Sequence, residues 1–208
     1  IADALVKLKV PYGGYLQGLS MYSPEREVGS AKIFGPAFTV HMVLESDTKA
    51  PTPATHFVDS IPKDSVIFLS QPKKTINSVW GGLMSTRAQV LGSQGVVIDG
   101  YFRDINEHKD LNFPLFARGF SIVASNTFTR TSAINVPVPF VSENQTDPIT
   151  INPGDFILAD ADGVVVIPPP LVEQCLKLCE ERNEVDKKTR ECLVNGEAFG
   201  PTIARLRK

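Results

Sequence analysis

Residues 95–108, GVVIDGYFRDINEH, decide how this chain is read. The apolar run from Gly95 to Ile98 suits a strand in a parallel sheet covered on both faces. Asp99-Gly100 reads as the turn that ends it. Arg103 and Asp104 follow side by side, and RDINEHKDL then reads as a short helix. Upstream, WGGLMSTRAQVLGS (80–93) places Leu83, Met84, Ala88 and Leu91 at helical spacing, with Gly92 as its stop. Before that, PKDSVIFLS is a turn and a strand at Val66–Leu69. Downstream, FPLFARG (113–119) is a further strand. Strand, helix, strand, helix, strand is the order of a layered α/β core.

Further out the style changes. IADALVKL looks like the tail of a helix, broken by PYGG (11–14), so the native chain is expected to begin before Ile1. AFTVHMVL (37–44) reads as a strand, with Gly35-Pro36 as punctuation before it. ATHFVDSI predicts a short helix. NPGDFILADADGVVVIP predicts a β-hairpin closed by a tight turn. Pro168-Pro169-Pro170 stops it, and residues 171–194 form one long helix with a stripe of Leu171, Cys175, Leu178 and Cys179. Its second half, EERNEVDKKTRE, is charged enough to face solvent or a subunit contact. No linker divides the chain, so a single domain over 1–208 is expected.

Bulk properties narrow the function classes. The 208 residues are 42% hydrophobic and 21% charged, which supports a proper core. The formal net charge is −2 with no basic cluster, so no nucleic-acid footprint is expected. No apolar run nears the roughly 18 residues that a membrane span needs, so no membrane partner is expected. Cys175, Cys179 and Cys192 lack a CxxC and read as reduced thiols of a cytoplasmic protein. His41, His56 and His108 are scattered, with no cysteine at zinc-ligand spacing.

The chemistry gathers in the middle. Gly81-Gly82 opens a helix, so the backbone N–H groups of Gly82, Leu83 and Met84 could receive a substrate carboxylate. The same pair could equally make a tight turn. Arg103-Asp104 follows a strand end, where open α/β sheets gather their ligands. Asp104 offers a hard oxygen to Mg²⁺ or Mn²⁺, an ion that often takes one or two carboxylates and keeps its waters. Arg103 offers planar donors to a carboxylate or a developing enolate. Asp104 and Glu107 also form D-x-x-E, the pattern of a capping box for the next helix. His108 is a candidate acid or base, read first as an exposed helix residue. Ser85 and Thr86 have no visible triad partners. No glycine-rich phosphate or dinucleotide loop is present, which sets methyl transfer aside.

GGLMSTRAQVLGSQGVVIDGYFRDINEHKDLNFPLFARG, followed by PGDFILADADGVVVIP and TRECLVNGE, resembles the RraA-like family. That family takes in the regulator of ribonuclease activity A and the 4-hydroxy-4-methyl-2-oxoglutarate aldolases. The resemblance implies a swivelling β/β/α layered fold with a mixed central sheet and a long C-terminal helix, assembled as a homotrimer or a dimer of trimers. It implies a divalent-metal lyase that cleaves short 2-oxo diacids to pyruvate, as an oxaloacetate decarboxylase or an aldolase. By resemblance, Asp104 holds the metal and Arg103 contacts the substrate. The amides of Gly81, Gly82, Leu83 and Met84 hold its carboxylate. Glu184 of a neighbouring subunit approaches the metal through water, with Asp186 as its alternative. Gly82, 21 residues before Arg103, stands where the aldolase branch carries an acid. That departure bears on aldol proton transfer more than on metal binding, and favours decarboxylation. The regulator branch tends to lose the Arg-Asp pair, and this chain keeps it. The competing expectation is an oligomeric protein that binds and inhibits an RNA-processing enzyme without chemistry of its own.

Overall fold

In the computed structural model, which describes residues 1–207, the elements run as follows. In chain order they are α1 (Ala2–Lys7), β1 (Ser20–Ser23), β2 (Ile33–Leu44), β3 (Val66–Ser70), β4 (Ser78–Trp80), α2 (Gly82–Val90), β5 (Gly95–Phe102) and α3 (Ile105–Asp110). They continue with β6 (Leu115–Phe120), β7 (Thr129–Ile134), β8 (Val138–Phe140), β9 (Ile149–Ile151), β10 (Phe156–Asp160), β11 (Gly163–Ile167), α4 (Val172–Val194) and α5 (Phe199–Leu206). The mixed sheet has the order β1-β6-β5-β3-β2-β10-β11, with β4 added to the end of β5 and β7 to β2. β2, β3, β5 and β6 are parallel, and β10, β11, β7 and β1 pair antiparallel. Just before β1, Tyr15 bridges Val165 and Leu16 N–H donates to Val164 O at 2.9 Å, which almost closes the sheet on itself.

The apolar runs are continuous because both faces of these strands are covered. Val66, Phe68 and Val97 point into a core with Phe140, Ile151 and Ile157. Ile67, Leu69, Val96 and Ile98 point into the other core, with Ala88 and Met84 of α2 and Ile105 of α3. Alternation along a strand therefore sorts apolar residues to two cores rather than to core and water.

Two punctuation readings are corrected. Gly35-Pro36 lies inside β2: Pro36 pairs with Phe156, and Ala37 begins the parallel ladder to β3. A side chain at Gly35 would meet the Asp64 carbonyl at 2.4 Å, so glycine lets the strand pass. Asp99-Gly100 is not a turn either. β5 runs on to Phe102, changing partner from β3 to β4 at this point. Gln71 fills the step: its Oε1 accepts Tyr101 N–H at 2.8 Å, directly over Gly100. Asp99 is buried and held by Lys73 at 2.8 Å and by Arg118.

The chain forms two compact units, Gly14–Pro169 and a second made of Ile1–Gly13 with the segment from Pro170 onward. The first contains the whole sheet with α2 and α3. The second contains α1, α4 and α5; in it the charged half of α4 is largely exposed, as its composition predicts. Cys175 is buried and all three cysteines are free, with burial pushing the Cys175 thiol up. Among the described residues, no helix is long and apolar enough to cross a membrane.

Candidate functional site

The position of the site follows from β4, which sequence periodicity does not disclose because it is only three residues long. It lies parallel to the end of β5, pairing Ser78 with Tyr101 and Trp80 with Phe102. Two neighbouring parallel strands thus end together, and the ladder gains one more bond from Arg103 N–H to Trp80 O at 2.9 Å. Gly81-Gly82 leaves one strand and Arg103-Asp104 leaves the other, side by side.

Asp104 adopts a left-handed backbone, φ 66°, and begins α3 without a side-chain cap. The capping-box reading is corrected here: the carboxylate turns away from its own helix. Its Oδ2 accepts Gly82 N–H at 3.0 Å and lies 3.4 Å from Arg103 Nε. A Cβ on Gly81 would sit 2.7 Å from that oxygen, so the close approach depends on glycine. The α2 N-terminus therefore already receives one carboxylate from within the chain, as its dipole favours. Gly82 N–H serves Asp104 and Met84 N–H serves Gly81 O, at 3.0 Å each. Leu83 N–H has no such partner among the described residues.

His108 is not the exposed residue that its helix position predicts. It is fully buried against the edge of Phe102. Trp80 Nε1–H donates to Ser85 Oγ at 2.8 Å, and Ser85 Oγ lies 2.8 Å from His108 Nδ1. The Arg103 carbonyl can only accept, so Nε2–H donates to it at 2.6 Å, and Nδ1 of the neutral ring then accepts the Ser85 hydroxyl proton in a hydrogen bond. Burial pushes the imidazole below its usual pKa, against the opposing pull of the Arg103 carbonyl and of the Asp104 and Glu107 charges. The neutral ring thus ties α2 to the turn that carries Arg103-Asp104. Its position on a short helix gives no sequence signal of this role.

Gly81, Leu83, Met84, Arg103, Asp104 and Glu107 line one cavity of about 470 Å³. A second, of about 540 Å³, lies against Arg103, Asp104 and Glu107 with Phe120 and Ile122. Leu83 and Ile122 beside these cavities are 84% and 93% exposed. Glu184 stands on α4 in the other unit, exposed, where a hydrogen bond from Lys187 at 2.7 Å holds its carboxyl below the usual range. Asp186 pairs with Arg182 and Arg207.

Among the described residues, no three His, Cys, Asp or Glu side chains group as a metal cage. The oxygen donors present suit a narrower case. Asp104 carries its second carboxylate oxygen free of hydrogen bonds from the described residues, and lines an open cavity with Glu107. One or two carboxylates with water and substrate oxygens match Mg²⁺ or Mn²⁺, and do not match a structural zinc site.

The RraA-like family model, described as Aldolase/RraA, matches residues 1–166. A protein of Halalkalibacterium halodurans named "Putative 4-hydroxy-4-methyl-2-oxoglutarate aldolase" is 36% identical over 160 residues, covering 77% of this chain and 70% of that protein. An uncharacterized protein of Pseudomonas syringae has a crystal structure of TM-score 0.78 at 29% identity, covering 97% of this chain and 89% of the other. Streptomyces coelicolor RraAS2, described as an unusual member of the RNase ES inhibitor RraA family, has a TM-score of 0.76 at 21% identity. That match covers 91% and 88% of the two chains and bears on the fold alone.

Proposed function

Because the chain belongs to the RraA-like family, whose members include proteins named as aldolases and as RNase inhibitors, we propose that it is a divalent-metal-dependent lyase releasing pyruvate from short 2-oxo diacids. The observation that carries this reading is the meeting of Asp104, Arg103 and the α2 N-terminus in one cavity. Asp104, with water and the substrate's own oxygens, would hold Mg²⁺ or Mn²⁺, which when bound supplies Lewis acidity to a keto oxygen.

The protein's own groups do the rest. The Leu83 amide receives the carboxylate next to the keto group. Arg103, whose side chain is 45% exposed and only loosely engaged with Asp104, turns its remaining donors toward the substrate. In oxaloacetate, the bond to the departing carboxylate breaks and its electron pair moves into the keto group as an enolate. Arg103 stabilises that charge from a fixed position. The His108 chain keeps the Arg103 backbone in place while this happens.

The exposed Leu83 lines one of the two site cavities and the exposed Ile122 the other, apolar groups that fit burial against another copy. The family resemblance, rather than these two residues, is what supports a trimer or dimer of trimers as the working enzyme. Glu184 is the residue that a neighbouring copy contributes through water, in exchange for its Lys187 partner.

The test is pyruvate release from oxaloacetate in magnesium buffer, with and without EDTA. Asp104→Asn is expected to lower metal-dependent turnover about 100- to 1000-fold. Wild-type turnover in that variant, or no metal-dependent release from the native protein, overturns the lyase reading. It would leave the non-catalytic regulator in its place.

A further inference from the structure

We propose that Glu107 is the catalytic carboxylate for aldol cleavage, accepting the proton of a substrate hydroxyl from a seat over Gly82; the proposal rests on the lyase reading above. A Cβ built on Gly82 would lie 1.8 Å from Glu107 Oε2 and 2.6 Å from its Cδ. The glutamate thus occupies the space that any side chain at position 82 would need. The carboxylate is delivered from α3, whose first turn is fixed by Glu107 N–H donating to Asp104 O at 3.0 Å.

Asp104 and Glu107 differ in what remains free. Asp104 is engaged by Gly82 N–H and faces Arg103. Glu107 receives no hydrogen bond or ion pair to its carboxylate among the described residues, yet it lines both cavities that flank Arg103-Asp104. An ionised carboxylate only accepts hydrogen bonds. Its matching substrate group is therefore a hydroxyl, which a 4-hydroxy-2-oxo acid has and oxaloacetate lacks.

The step balances without a further reactant. Glu107 takes the proton of the C4 hydroxyl, and the C4–O bond becomes a carbonyl. The C3–C4 bond breaks, and its electron pair forms the pyruvate enolate. Glu107 then returns the proton to C3, giving pyruvate and a carbonyl product.

The experiment compares cleavage of 4-hydroxy-4-methyl-2-oxoglutarate with decarboxylation of oxaloacetate by the same preparation, in magnesium buffer. Glu107→Gln is expected to lower the ratio of cleavage to decarboxylation about 100-fold, the usual size of a positioned acid-base group. Gly82→Ala, which must push Glu107 from its seat, is expected to lower the same ratio, and it carries the test should the glutamine variant melt early. An unchanged ratio in both variants overturns the proposal. So does a native protein that decarboxylates but cleaves no aldol, and in that case the lyase reading stands. A native protein that does neither removes the lyase reading and this inference together.

Discussion

At the scale of single residues, His108 carries the clearest consequence. Its folded pKa lies below the unfolded value of about 6.5, so the unfolded chain binds more protons in that interval. Stability from this group is fully present above about pH 6.5. It is lost as pH falls from there through the folded pKa, by at most about 1.4 kcal/mol per pH unit. Urea midpoints measured from pH 7.5 downward are expected to show this slope in the native protein and a flatter one in His108→Phe. That variant also leaves the buried Arg103 carbonyl unpaired, at about 1–3 kcal/mol, while Ser85 Oγ keeps the Trp80 indole N–H. Asp99 offers a second test. Asp99→Ala leaves Arg118 facing Lys73 with no anion between them, and the expected loss is about 3 kcal/mol in denaturant unfolding, near the lower end for a broken buried pair because Lys73 is half exposed. Residue types alone marked the two segments, Gly81-Gly82 and Arg103-Asp104, that the fold brings side by side. They did not show orientation: D-x-x-E looks the same whether the aspartate caps its own helix or reaches across to the next one.

At the scale of elements, long apolar runs and the α2 spacing were legible, and the short or interrupted elements were not. β4, β8 and β9 have three residues each, too few for a period to register. β5 appeared to stop at Asp99-Gly100 because the group that lets it continue, the Gln71 side chain, is remote in sequence. The same holds for β2, whose passage through Gly35 depends on the Asp64 carbonyl. Gly35→Ala is accordingly expected to destabilise by about 1–3 kcal/mol, the usual cost of forcing an extra carbon into a packed position, read as a lower thermal midpoint. The hairpin of β10 and β11 and the long α4 were read with nearly their observed bounds, since their turn residues and periodicity are local.

At the scale of the whole molecule, composition and element order sufficed for the layered α/β fold, while PYGG and the triple proline read only as local punctuation. They lie where the chain passes between its two units, Gly13 to Gly14 and Pro169 to Pro170. That division joins segments from opposite ends of the chain, which no linker composition marks. Ligand binding should register on the folded state as a whole. Magnesium with oxalate at about 100 times its dissociation constant adds about 2.7 kcal/mol, which for a chain of this length raises the melting temperature by roughly 5–10 °C. Asp104→Asn is expected to erase that rise in a calorimetric scan. The sole tryptophan of the sequence, Trp80, is buried with its indole N–H bonded to Ser85, next to the glycine pair. Its fluorescence therefore reports from one spot rather than as an average over the protein. A red shift in emission marks the moment water reaches this wall of the cavity, which gives the molecule an intrinsic optical gauge of the candidate site without any attached label.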